Sequence, residues 1–183
     1  AIPATLVLRA TVSGSAVPVL RPGGYYNTGR SGHGLFLHPA GSYWAGIWYT
    51  YLQDRTPTWY YLQGSAPGAN GVWRADVYRG TWVGGGGFLT VVGEAKVTPS
   101  SPDAFTFTYT LDGQVGSEAF SVFGRGCPVI DGSPVDISQH YFDPTRSGAA
   151  YSVQVMTSPG PYEFHAMFVY DARGVPRFLV AEN

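Results

Sequence analysis

The segment "FTFTYTLDG", residues 105 to 113, reads as a β-strand running into a hairpin. Successive side chains of a strand point to opposite faces, so Phe105, Phe107, Tyr109 and Leu111 share one side and three threonines the other. Asp112-Gly113 follows, a pair that accepts positive φ at both central positions of a two-residue turn. Outward from this hairpin, the same grammar predicts strands over 5–12, 34–38, 43–51, 58–63, 72–78, 88–97, 118–123, 150–156, 162–170 and 177–181. Twenty-five glycines and 14 prolines interrupt the chain too often for an apolar stripe of helical period to persist. The expected fold is all-β, a single antiparallel β-barrel or barrel-like sandwich over residues 1–183.

Within that fold the chain repeats itself. "YYNTGRSGHG" at 25–34 returns as "YFDPTRSGAA" at 141–150. Tyr25, Arg30, Ser31 and Gly32 match Tyr141, Arg146, Ser147 and Gly148 at a constant offset of 116, and after a three-residue change Tyr51 and Pro57 match Tyr170 and Pro176 at 119. Copy one spans about 24–127 and a partial copy two about 140–183, each read as a three-stranded meander entered through an Arg-Ser-Gly turn. On the middle strands, Tyr43, Ala45, Ile47, Tyr49 and Tyr51 correspond to Tyr162, Phe164, Ala166, Phe168 and Tyr170, an apolar face expected to be shared core. The opposite face diverges, from Trp44, Gly46, Trp48 and Thr50 to Glu163, His165, Met167 and Val169. Asp171 to Gly174 has the residues of a type I turn closed by a left-handed glycine. Truncation of copy two leaves an open edge, which a strand near Leu6 to Ala10 is expected to cover.

The motifs "SGHG", "WYTY" and "PTWY" resemble a repeat of secreted Gram-negative bacterial proteins that reads SGxG, then WYTYDxxGxPxWY. Asn27, Ser31, Gly32, Gly34, the run from Trp48 to Tyr51, Pro57, Trp59 and Tyr60 carry the likeness, and both copies together cover about half the chain. The resemblance implies an exported β-rich module with no assigned chemistry. Copy one departs from it at Leu52 and Arg55, where copy two has the pattern's Asp171 and Gly174.

Composition narrows the function. Net charge is −1 and charged residues are 13%, about half the usual share, with no basic stripe for nucleic acid. No apolar run reaches the length of a membrane helix. Cys127 is the only cysteine, which excludes an intramolecular disulfide and a CxxC metal pair. The start "AIPATL", without Met, reads as a removed leader or a piece of a longer chain, and the expected location is secreted or periplasmic.

The chemistry-bearing residues cluster in copy one. His33 sits beside Ser31 in a glycine-rich turn, the ingredients of an acyl or anion site, yet Arg-Ser-Gly recurs in copy two without the histidine, as a structural turn would. His33 and His38 are five apart, on opposite faces of a strand, so no metal site is expected. All five tryptophans lie in copy one, and rings edged by polar groups suit a sugar face or an apolar ligand. The expectation is therefore an exported, non-catalytic binding module for a glycan or small apolar ligand, without cofactor. Trp48, Tyr49, Trp59 and Tyr61 supply rings, and Arg30 and His33 polar contacts at the rim. The alternatives are a protein-binding inhibitor or adhesin, and a small hydrolase using His33 with Ser31 or Cys127.

Overall fold

The computed structural model describes residues 17–145 and 148–183. Its first eight strands are β1 (Gly23–Asn27), β2 (Gly34–Ala40), β3 (Tyr43–Tyr51), β4 (Pro57–Ser65), β5 (Trp73–Val83), β6 (Gly86–Ser101), β7 (Ala104–Leu111) and β8 (Gln114–Val122). Each pairs antiparallel with the next, and β1 pairs with β8, closing an up-and-down barrel. The predicted turn at Asp112-Gly113 joins β7 to β8 with φ of 48° and 78°. A barrel of this size is just wide enough for side chains to fill. Here Trp48, Trp73, Phe105, Phe107 and Phe120 fill much of it, with Trp48 and Phe107 ring centroids 5.1 Å apart and Phe105 stacked on Phe120 at 5.4 Å.

A short hairpin, β9 (Val129–Ile130) and β10 (Ser133–Pro134), leads to a second sheet of β11 (Gln139–Phe142), β12 (Ala150–Met156), β13 (Tyr162–Tyr170) and β14 (Pro176–Glu182). This sheet is the repeat in register. The row Tyr25, Leu35, Trp48, Tyr60 across β1 to β4 becomes Tyr141, Tyr151, Met167, Leu179 across β11 to β14. The three-residue change falls in the connection between the two central strands, where Ala40 pairs Tyr43 but Met156 pairs Tyr162. Each copy is thus built on a four-stranded meander, not a three-stranded one. The strands before the turns escape the sequence pattern because β1 carries two glycines and β11 has only four residues.

The two copies pack through equivalent faces, as an isologous pair does. Tyr49 contacts Phe178 at 5.4 Å, and the equivalent swap, Trp59 against Phe168, lies at 5.9 Å. Likewise Tyr51 meets Phe178 at 5.4 Å while Trp59 meets Tyr170 at 5.4 Å. The Gly24 N–H donates to Gln154 Oε1 at 2.7 Å, and the equivalent residues His140 and His38 meet edge to face, ring centroids 4.4 Å apart. An approximate two-fold axis therefore relates β1–β4 to β11–β14. In copy one β5–β8 complete the barrel; among the described residues copy two is an open four-stranded sheet.

This arrangement explains why one face of the middle strands is kept apolar in both copies and the other diverges. The face shared by both copies is buried between the layers, with Ile47, Tyr49, Phe164, Ala166 and Phe168 in one cluster. The diverged face lines the barrel in copy one and is the outer side of an open sheet in copy two. β3 is consequently buried on both sides, which is why its centre reads "GIWYT" without polar alternation. The expected strand over 5–12, and its covering of the open edge, lie outside the described residues. Among those described, no helix is long and apolar enough to cross a membrane.

Candidate functional site

Two cavities flank the Arg-Ser-Gly turn of copy one. The first, about 790 Å³, opens between the barrel and the second sheet. One wall comes from β1, the turn and the end of β3: Tyr26, Ser31, His33 and Tyr51. The other comes from β13 and β14: Tyr162, Phe164, Phe178 and Glu182, with the loop at Pro159 to Pro161 at its edge. It is a composite of both copies, at the place where their aromatic faces diverge enough to leave space.

His33 is buried at the side of this cleft, its Nδ1 2.7 Å from Thr50 Oγ1 and its ring 5.2 Å from Tyr51. Burial, and then the charge of Arg30, push its pKa below the usual histidine value, so the imidazole is neutral at neutral pH. The turn that carries it is pinned by a polar hub. Glu118 of β8, with a side chain only 6% exposed, accepts hydrogen bonds from Arg30 at 2.8 Å, Tyr109 Oη at 2.9 Å and Asn27 Nδ2. Gly32 sits at φ 79° with Tyr51 against it, and Gly148, its counterpart, at 88°. Arg30 is therefore engaged with an acid inside its own copy, as a turn-anchoring arginine would be.

The second cavity, about 600 Å³, is the barrel mouth. Trp48, Tyr60 and Tyr109 form its floor, and Arg30 and Arg79 stand at its rim. Arg79 pairs with Asp112 and lies over the Tyr60 ring at 5.8 Å. Trp48 Nε1 is buried there without a hydrogen-bond partner among the described residues.

The six residues proposed from sequence do not form one platform. Trp48 and Tyr49 are neighbours in β3 and point to opposite sides, the first into the barrel and the second between the layers. Trp59 pairs with Tyr49 across β3 and β4 and is fixed in the interlayer core, its Nε1–H donating to Val169 O at 3.2 Å. The expected stack of Trp48, Tyr49 and Trp59 is thus replaced by two separate aromatic sets. Arg30 and Trp48 meet at the barrel mouth, and His33 and Tyr49 meet in the cleft. Tyr61 lies away from both, bonded to Gln63 at 3.0 Å.

For the hydrolase alternative, Ser31 lines the cleft with His33, but the imidazole's bond goes to Thr50. Cys127 is half-buried beyond β8 and lines neither cavity. No carboxylate among the described residues hydrogen-bonds His33 to orient it as a base. His38 and His140 meet edge to face, and among the described residues no cluster of three or more His, Cys, Asp or Glu is placed to hold a metal. The residues that sequence reasoning missed are those of copy two, Tyr162, Phe178 and Glu182, and the hub Glu118. The repeat's matched faces were the available signal for the first two. Nothing in the local sequence marks Glu118. Compared with known proteins, the chain matches no family model, no curated protein and no solved structure.

Proposed function

We propose that this chain is an exported, non-catalytic binding module that takes a small, largely apolar ligand in the cleft between the barrel and the second sheet. The observation that carries this reading is the cavity of about 790 Å³ walled by aromatic rings from both copies, with a few polar groups at one side. Concave, mostly apolar spaces of this size with sparse, placed polar atoms suit small-molecule binding. Tyr51 and Phe178, in edge contact at 5.4 Å, would stack on the ligand, and His33 and Ser31 would meet its polar end. The likeness of the "SGHG" and "WYTY" motifs to a secreted repeat supports export. A glycan is the alternative occupant, suited by the same rings.

A screen of small apolar ligands and glycans by calorimetry and thermal shift tests this. A ligand that binds the native protein and loses at least tenfold in affinity on Tyr162→Ala, a residue of the cleft alone, supports the cleft. One that is indifferent to Tyr162→Ala but lost on Arg79→Ala moves the site to the barrel mouth.

Protein binding is favoured by one separate feature. Before Gly93, β6 pairs among the described residues with β5 alone, and this overhang exposes Phe88, Leu89 and Val91. Under that reading Phe88→Ser with Leu89→Ser abolishes partner binding and leaves ligand binding in the cleft unchanged.

A further inference from the structure

The cleft's lining has a one-sided charge. Four tyrosines, Tyr26, Tyr49, Tyr51 and Tyr162, stand with Phe164 and Phe178 around it, and Glu182 is the one acidic side chain among them. No lysine or arginine lines it among the described residues. The arginines closest in sequence to lining residues are already engaged: Arg30 with Glu118, Arg177, beside Phe178, with Asp171 at 2.7 Å, and Arg125, beyond Phe123, with Asp103. Tyr162 Oη donates to Glu182 Oε2, which leaves Oε1 of that carboxylate without a partner among the described residues. His33 is neutral, for the burial given above, and so adds no positive charge to the wall.

Aromatic faces carry negative quadrupole charge and attract cations, most strongly where water is displaced. An anionic ligand would find no counter-charge in this lining and would face Glu182. A neutral sugar would find rings but few donors. From this we infer that the cleft selects an organic cation, an aryl or alkyl ammonium whose charged head lies among the tyrosine rings near Glu182 and whose apolar body lies against Phe164 and Phe178. The inference rests on the cleft being the binding site, and its test separates the two.

The probes are 4-(trimethylammonio)phenol and its uncharged carbon isostere, 4-tert-butylphenol, titrated by calorimetry into the full chain. The cation should bind about tenfold or more tighter than the isostere, the range a desolvated cation–π site provides. Glu182→Gln should weaken the cation several-fold and leave the isostere unchanged; the substituted amide keeps an acceptor for Tyr162 at an exposed strand end, and an unchanged Tm verifies the fold. Raising salt should weaken the cation alone. Equal or tighter binding of the isostere, lost on Tyr162→Ala, overturns the cation inference and leaves the cleft standing. If neither probe binds, both fall.

Discussion

Replacing Phe168 with Ala removes a ring from the centre of the contact between the two copies. Its side chain is completely buried, 5.9 Å from Trp59 and 6.4 Å from Tyr49. Deleting a fully buried Phe forfeits its transfer free energy and leaves a cavity, at a cost of about 4 kcal/mol. With a denaturant slope of about 2 kcal/mol/M in urea, the midpoint moves down by about 2 M. The thermal midpoint falls by about 8–16 °C for a chain of this length. The assay is urea unfolding followed by tryptophan fluorescence in a Trp59→Phe, Trp82→Phe background, because those two rings touch the second sheet whereas Trp48 and Trp73 report on the barrel interior. If the layers share one core, the barrel signal shifts with the mutation in a single transition. A loss below about 1 kcal/mol, or an early transition that leaves the Trp48 and Trp73 signal in place, would refute the shared core.

Three further outcomes follow from one turn and from the buried histidine pair. Arg55 holds φ 65° in the turn where Gly174, its counterpart, holds 75°. Arg55→Gly should stabilise by about 0.5 kcal/mol, as relief of left-handed strain slightly exceeds glycine's unfolded-state entropy; a destabilised variant in thermal melts contradicts this. The reverse change is not its mirror, since a Cβ at Gly174 would meet Trp82 O, so Gly174→Ala should cost at least about 2 kcal/mol. Burial lowers the His38 pKa to about 4, against a raising influence from Asp136, and burial with the neighbouring His38 lowers that of His140 to about 3. Both fall below the unfolded value of 6.5, so the unfolded chain binds protons first. Stability should therefore decline as pH drops from about 6.5 towards about 4, by up to about 1.4 kcal/mol per unit for each histidine. His38→Gln, which copies Gln154 at the equivalent position, should flatten that slope; equal unfolding midpoints at about pH 6.5 and about pH 4.5 would contradict the burial argument.

Much of the architecture was legible because the repeat carries its own register. The predicted bounds of β3, β12 and β13 coincide with the observed strands, and the change of offset marks the connection whose length differs. Matching faces on the two middle strands identified the shared core, though not that the copies would meet there face to face. That arrangement depends on tertiary closure: once β5–β8 seal the barrel, both faces of β3 are inside, and a ring such as Trp48 that looks like a ligand platform becomes packing. Period-two alternation assigns a side chain to a face but not to an interior or a cleft. The site was half legible for the same reason. His33 and Tyr49 were named from copy one, while Tyr162, Phe178 and Glu182 come from β13 and β14, and only the two-fold packing brings them opposite. Glu118 was invisible because its partners Asn27, Arg30 and Tyr109 are supplied by β1, the turn and β7, non-local to it in sequence or paired across the sheet.

The claim that binding occurs between the copies is tested most directly by NMR titration of the full chain with 4-(trimethylammonio)phenol and 4-tert-butylphenol. Saturable shifts should converge on His33, Tyr162 and Phe178, which line the cleft and not the barrel mouth although they lie far apart in sequence. Shifts that converge instead on Tyr60, Arg79 and Gln114 at the barrel mouth, or the absence of any saturable shift, would contradict it.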